Sequence, residues 1–176
     1  MAFNRVTLIG FRASGKSTIG RLLAARLALP FGDADTEVEK RLGMPIAKYF
    51  SQRGEAAFRD QEEAALAALL AGPGPLVLAT GGGVVLRPAN RALLRARGGF
   101  VVYLVASVET IQDRLRHNAG GRPSLTGRSV VDEVPDQLAV RDPLYHEAAD
   151  VAVPVGVSAD EAVLQIELAM GEHGLR

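Results

Sequence analysis

Apolar residues in this chain fall into short runs, separated by longer stretches in which they recur at helical intervals. The runs Val6–Ile9, Leu76–Thr80, Phe100–Val105 and Val151–Val155, with the shorter Pro30–Asp33, predict five strands. Several are apolar at every position, the pattern of strands covered on both faces. Between them, spacings such as Ile19, Leu22, Leu23 and Leu27 predict helices. This alternation points to a parallel sheet wrapped by helices. The last helix opens on Ser158-Ala159-Asp160-Glu161, a capping box, and should turn Ala162, Val163, Ile166 and Met170 toward the sheet. A helical insertion from Thr36 to Ala71 is longer than a crossover needs. It is punctuated by Gly43-Met44-Pro45 and Gly54 and closed by Gly72-Pro73-Gly74-Pro75.

The first predicted strand runs directly into Gly10-Phe11-Arg12-Ala13-Ser14-Gly15-Lys16-Ser17, followed by Thr18 and a helical pattern. This is the Walker A spelling, G-x-x-x-x-G-K-[ST], in its proper setting of strand, turn and helix start. The first N–H groups of a helix lack intrahelical partners and carry partial positive charge, so a loop that gathers them makes a phosphate cradle. Gly10 and Gly15 allow the backbone angles and close approach this requires. Lys16 is placed to reach the β- and γ-phosphate oxygens, and the Ser17 hydroxyl to ligate Mg²⁺. As a flexible, exposed side chain, Lys16 is expected to contribute little to packing. The chain has three lysines against 17 arginines, which makes a lysine at this position the more telling. The motif implies a nucleoside triphosphate site.

Composition narrows the remaining choices. The 176 residues suit one domain with a substantial core. Twenty basic and 20 acidic side chains give zero formal charge, and the arginines are scattered, which argues against a nucleic-acid face. Without cysteine there are no disulfides or thiolate metal sites. No apolar run approaches a membrane span, and the first strand begins too early for a signal or transit segment. A cytoplasmic monomer is the expectation.

Asp33-Ala34-Asp35 stands at the C-terminal end of the second strand, where ligands of open α/β sheets bind. On an extended segment both carboxylates point one way; one suits Mg²⁺ and the other a substrate hydroxyl proton. The plainer reading has Asp35 capping a helix that opens at Thr36, with capping by Asp33 the weaker option. Gly81-Gly82-Gly83 follows the third strand, and three successive glycines point to close approach of a small ligand, with a loose loop as the alternative. Arg59 has Glu62 and Glu63 within helical reach, so an ion pair is its simplest account. Between His117 and Ser129 lies a polar, glycine-bearing stretch containing Arg122, readable either as a surface loop or as a lid over nucleotide. His117, His146 and His173 show no metal-ligand spacing.

In this order and spacing, Gly10–Thr18, Phe31–Glu39, Gly54-Glu55-Ala56-Ala57-Phe58-Arg59 with Glu62, Gly81–Gly83, Arg122-Pro123 and Arg141-Asp142-Pro143-Leu144-Tyr145 resemble the shikimate kinase family of nucleoside-monophosphate-kinase-like P-loop proteins. The resemblance implies a three-layer P-loop α/β sandwich in one domain. Its core would be 1–35, 72–115 and 130–176, with a substrate-binding insertion at 36–71 and a lid at 116–129. It further implies ATP-dependent phosphorylation of the shikimate 3-hydroxyl, with Mg²⁺ as cofactor. Lys16, Asp35 and Arg122 would be catalytic, and Ser17 and Asp33 would serve the metal. Nucleotide would meet Gly10, Ala13, Ser14, Gly15, Lys16, Ser17, Thr18, Arg114, Arg122 and Pro154. Shikimate would meet Asp35, Arg59, Gly81, Gly82, Gly83 and Arg141. The family's loop usually has glycine where this chain has Ala13, and alanine there is expected to keep a negative φ. The lid reads Arg122-Pro123-Ser124-Leu125-Thr126, against the commoner Arg-Pro followed by two leucines. A gluconate-type kinase is the enzyme alternative, disfavoured by the Asp33/Asp35 pair, Phe58-Arg59 and Arg141. A non-catalytic sensor is the alternative of another class, and a GTPase is disfavoured because no Asn-Lys-x-Asp motif occurs.

Overall fold

The computed structural model describes residues 4–72, 74–117, 129–156 and 158–174. In chain order its elements are β1 (Arg5–Ile9), α1 (Lys16–Leu27), β2 (Phe31–Asp33), α2 (Ala34–Leu42), α3 (Ile46–Ala71), β3 (Leu76–Ala79), a 3₁₀ turn (Val84–Leu86), α4 (Pro88–Arg97), β4 (Phe100–Val105), α5 (Val108–His117), α6 (Val134–Ala148), β5 (Val151–Pro154) and α7 (Ala159–Gly174). The five strands lie in the order β2-β3-β1-β4-β5, all parallel. Each predicted strand is present within one residue at either end. The uniformly apolar runs occupy the middle of the sheet: Val6, Leu8 and Ile9 of β1 and Phe100–Leu104 of β4 are buried. Right-handed crossovers put α1 on one face of such a sheet and α4 and α6 on the other. The packing agrees, since α1 lies against α7 and α4 lies against α6.

Local chemistry sets the element ends. The Ser158 hydroxyl accepts the Glu161 N–H at 3.2 Å, closing the predicted cap of α7. Ala162, Val163 and Ile166 are buried, and Met170 packs against the core. Within the insertion, Gly43 ends α2 in the left-handed region (φ 64°), and Gly54 breaks α3 with non-helical angles (φ 79°, ψ 177°). The insertion also has its own apolar cluster of Val38, Ile46, Phe58 and Ala65, flanked by Leu42, Tyr49 and Phe50.

Two expectations about the loops do not hold. Helix α2 begins at Ala34, so Asp35 lies in its first turn, and the residue that caps it is Asp33. Ala13 has φ 61°, not a negative value. A left-handed L-residue costs about 1–2 kcal/mol, which the surrounding loop imposes. Ala13→Gly removes that cost but loosens the unfolded chain by about 0.4–1 kcal/mol, so its urea midpoint should rise slightly or stay put. Ala13→Val, β-branched at positive φ, should lower stability by about 1–3 kcal/mol; equal midpoints for the two variants would contradict the left-handed assignment.

Candidate active site

The donor half is the turn between β1 and α1. Gly10 (φ 146°) and Gly15 (φ 100°) occupy angles closed to other residues, and a Cβ on Gly10 would stand 2.8 Å from the Leu104 carbonyl oxygen. Helix α1 starts at Lys16 with no side chain capping it among the described residues, the arrangement that suits its first N–H groups to an anion. Lys16 is not exposed as expected: it is 7% accessible, and its Nζ donates to the carbonyls of Gly10 (2.8 Å) and Phe11 (2.7 Å). The ammonium thus spans the inner side of the loop, adjacent to where phosphate would lie. Arg114 from α5 donates to the Ala13 carbonyl at 3.0 Å. Beside it opens a cleft of about 300 Å³ lined by Ala13, Gly15, Thr18, Arg114, Val155, Gly156 and Ser158. Pro154, at the end of β5, is exposed and not among these lining residues.

Asp33 joins donor to acceptor. Its Oδ2 accepts the Ser17 hydroxyl at 2.6 Å, while Oδ1 accepts the backbone N–H groups of Asp35 (3.0 Å) and Thr36 (3.4 Å). One carboxylate therefore fixes both the start of α2 and the hydroxyl of the phosphate loop. The alternating-strand argument for Asp33 and Asp35 fails because the helix has already begun. Even so, both side chains line a second cleft of about 320 Å³, shared with Arg12, Lys16, Ser17, Thr80 and Gly82. Among the described residues no group of three or more His, Cys, Asp or Glu could hold a metal ion. The adjacent oxygens of Ser17 and Asp33 are hard donors of the kind Mg²⁺ takes in small numbers, leaving its other positions to water and phosphate.

Each of the three glycines after β3 makes room for different neighbours. A Cβ on Gly81 would lie 2.6 Å from Glu62 Oε1 and 2.9 Å from Asp35 Oδ1. On Gly82 it would lie 2.8 Å from the Arg12 backbone nitrogen, and on Gly83 2.1 Å from Arg59 Nη1. The loose-loop alternative is excluded by this packing; Val84 also donates its N–H back to the Gly81 carbonyl.

Two buried guanidinium groups converge here. Arg59, 8% exposed, pairs with Glu62 at 2.7 Å and with Glu55 at 3.0 Å, so the ion-pair account of it is correct as far as it goes. Burial pulls its pKa down, but the charges and hydrogen bonds of Glu62 and Glu55 outweigh that and raise it. Arg141 on α6 is 6% exposed; its Nη1 donates to the Gly82 carbonyl at 3.3 Å and its guanidinium lies 5.3 Å from the Phe11 ring. Burial lowers its pKa, and the like charge of Arg59 adds to that. Among the described residues no carboxylate forms a salt bridge with Arg141. A buried cation beside a second cation, without an ion pair of its own among the described residues, has the chemistry to pair with a carboxylate.

The structure thus gathers Lys16, Ser17, Asp33, Asp35, Arg59, Gly81–Gly83 and Arg141 along the carboxyl ends of β1, β2 and β3. Arg122 lies outside the described residues. Sequence reasoning passed over Arg12 and Thr80, which line the second cleft, and gave Glu62 no part beyond an ion pair. Arg12 occupies a position the Walker pattern leaves free, so no spacing signal marked it.

The sequence profile of the shikimate kinase family matches residues 12–170. The shikimate kinase of Nitratidesulfovibrio vulgaris is 54% identical over 147 residues, covering 82% of this chain and 83% of that protein. That of Paracidovorax citrulli is 47% identical over 171 residues, covering 93% and 92%. Among solved structures, the shikimate kinase from Acinetobacter baumannii in complex with shikimate superposes with a TM-score of 0.87 at 36% identity, over 95% of this chain and 93% of that one. The site geometry and these similarities lead to one conclusion: the chain belongs to the shikimate kinase family.

Proposed function

We propose that this protein transfers the γ-phosphoryl group of ATP to the 3-hydroxyl of shikimate, giving shikimate 3-phosphate and ADP in aromatic amino-acid biosynthesis. The observation that carries this reading is the convergence of buried Arg59 and Arg141 on Gly81–Gly83, beside a phosphate loop and across from Asp35. Family membership and the likeness to a relative solved with shikimate support it.

Phosphoryl transfer depends on positioning and charge neutralisation more than on covalent chemistry. In this reading the α1 amides and Lys16 hold the β- and γ-phosphates, and Arg114 borders the nucleoside. Arg59 and Arg141 hold the shikimate carboxylate, so that its ring lies on the glycines and its 3-hydroxyl faces Asp35. Asp35 accepts the proton as the oxygen attacks. Ser17 and Asp33 would hold Mg²⁺, which would supply charge neutralisation at the phosphates. Arg122, in the stretch 116–129, would close on the transferring group. Residues 36–71 then serve as the acceptor-binding insertion of one P-loop domain whose core is 1–35, 72–115 and 130–176. We further propose a cytoplasmic monomer that engages no nucleic acid or membrane; no helix among the described residues is long and apolar enough to cross one.

An ADP-release assay across shikimate, quinate, gluconate and nucleoside monophosphates tests the reading. Shikimate should exceed the others in kcat/KM by at least about a hundredfold, because a site built around buried polar partners rejects acceptors that leave them unpaired. Preference for gluconate would overturn it.

A further inference from the structure

We propose that the Tyr145 hydroxyl is the positioning group that fixes Arg141 for the acceptor carboxylate; this rests on the reading of Arg141 given above. Tyr145 lies one helical turn beyond Arg141 on α6 and is fully buried. Its hydroxyl donates to the Gly82 carbonyl, the oxygen to which Arg141 Nη1 also donates. The Tyr145 hydroxyl and the Arg141 guanidinium therefore meet at one carbonyl oxygen. A phenol has one proton to give. That proton is spent on Gly82, so the phenol pins the carbonyl on which Arg141 also rests.

The ring itself is held independently of the hydroxyl. Tyr103 stacks on it with centroids 4.8 Å apart and planes inclined by 25°, and the Tyr103 hydroxyl donates to Asp142 Oδ1 at 2.7 Å. A phenylalanine would fill the same volume and keep the same stack. What tyrosine adds at this position is a donor-acceptor oxygen facing a guanidinium that has no carboxylate partner among the described residues. Burial pushes the Tyr145 phenol up, so it keeps the proton that sets the direction of these bonds. The Phe11 ring lies 5.3 Å from Arg141 Cζ. The Gly82 carbonyl is the polar contact that holds the guanidinium, and the hydroxyl holds that carbonyl.

Tyr145→Phe tests this by steady-state kinetics. The KM for shikimate should rise about tenfold, the factor expected for one hydrogen bond to a charged group, with the KM for ATP within twofold of the parent. Against the analogue whose carboxylate is reduced to a primary alcohol, the same variant should match the parent. Added to Arg141→Ala, it should raise the shikimate KM no further. An equal loss with shikimate and the neutral analogue, or full additivity with Arg141→Ala, would overturn the proposal, since the hydroxyl would then serve the fold alone. If Arg141→Ala by itself leaves the shikimate KM unchanged, the carboxylate reading fails instead. Should Tyr145→Phe not fold, 3-fluorotyrosine at position 145 keeps the shape and alters only the acidity of the hydroxyl. It must then move the shikimate KM and leave that for ATP in place; no change in either overturns the proposal.

Discussion

Lys16→Ala should lower turnover of shikimate by about 10³-fold or more, in the range found when a preorganised charge partner is removed from a transition state. The group lost is the ammonium best placed to follow negative charge as it moves from the γ-phosphate to the leaving oxygen. Stability should fall as well, by about 1–2 kcal/mol, because Nζ bonds the Gly10 and Phe11 carbonyls and those acceptors sit in a buried turn. Lys16→Arg should not restore activity. A planar fork cannot replace a compact ammonium between two carbonyls less than 3 Å away. Steady-state ADP release and a urea titration check both effects, and a loss of less than tenfold would remove Lys16 from the transferring phosphate.

Arg59→Ala should combine a site effect with a folding effect. Its removal leaves Glu62, 2% exposed, without its guanidinium in a buried place. Breaking such a pair costs about 3–5 kcal/mol, or roughly 10 °C in Tm for a chain of this size. The surviving folded enzyme should need about a hundredfold more shikimate, with its ATP requirement nearly unchanged. The double variant Arg59→Met/Glu62→Met separates the two contributions. Taking away both charges should recover most of the lost Tm, since apolar replacements of a buried pair are often neutral, while shikimate affinity stays low. If ATP affinity falls in step with shikimate affinity, Arg59 belongs to the nucleotide site or to the fold.

These expectations show where sequence was a sufficient guide. The strands were legible because both faces of the sheet are covered, so polarity carries almost no other message there. The phosphate loop was legible because its spacing is fixed by the geometry of a turn entering a helix. The errors lie where a small shift of a helix start or the closure of a loop decides the chemistry. The cap passes from Asp35 to Asp33, and Asp35 moves into the first turn, once α2 begins at Ala34, and no local pattern distinguishes the two starts. The φ of Ala13 follows from closure of the loop around it, not from any preference of alanine. Lys16 looks like a surface lysine until the loop folds over it. Arg59 and Arg141, 82 positions apart in the chain, become one site only when α3 and α6 both meet the glycines after β3. Tyr145 shows no spacing of its own, and the role proposed for it lies in an oxygen whose hydrogen-bond partner, the Gly82 carbonyl, is 63 positions away in the chain.

The separate apolar cluster of Val38, Ile46, Phe58 and Ala65 has a consequence for how the molecule yields under stress. Cooperative units of a protein unravel in the order of the apolar area each one buries. The sheet and its flanking helices share one large core, whereas α2 and the first half of α3 rely on a few side chains of their own. The segment that carries Asp35 at one end and Arg59 near the other is therefore expected to open first in a hydrogen-exchange experiment, while the phosphate loop stays anchored to β1. If the insertion opens first, Asp35 and Arg59 leave the site while Lys16, Gly81–Gly83 and Arg141 keep their places, so partial unfolding should cost shikimate binding before it costs nucleotide binding.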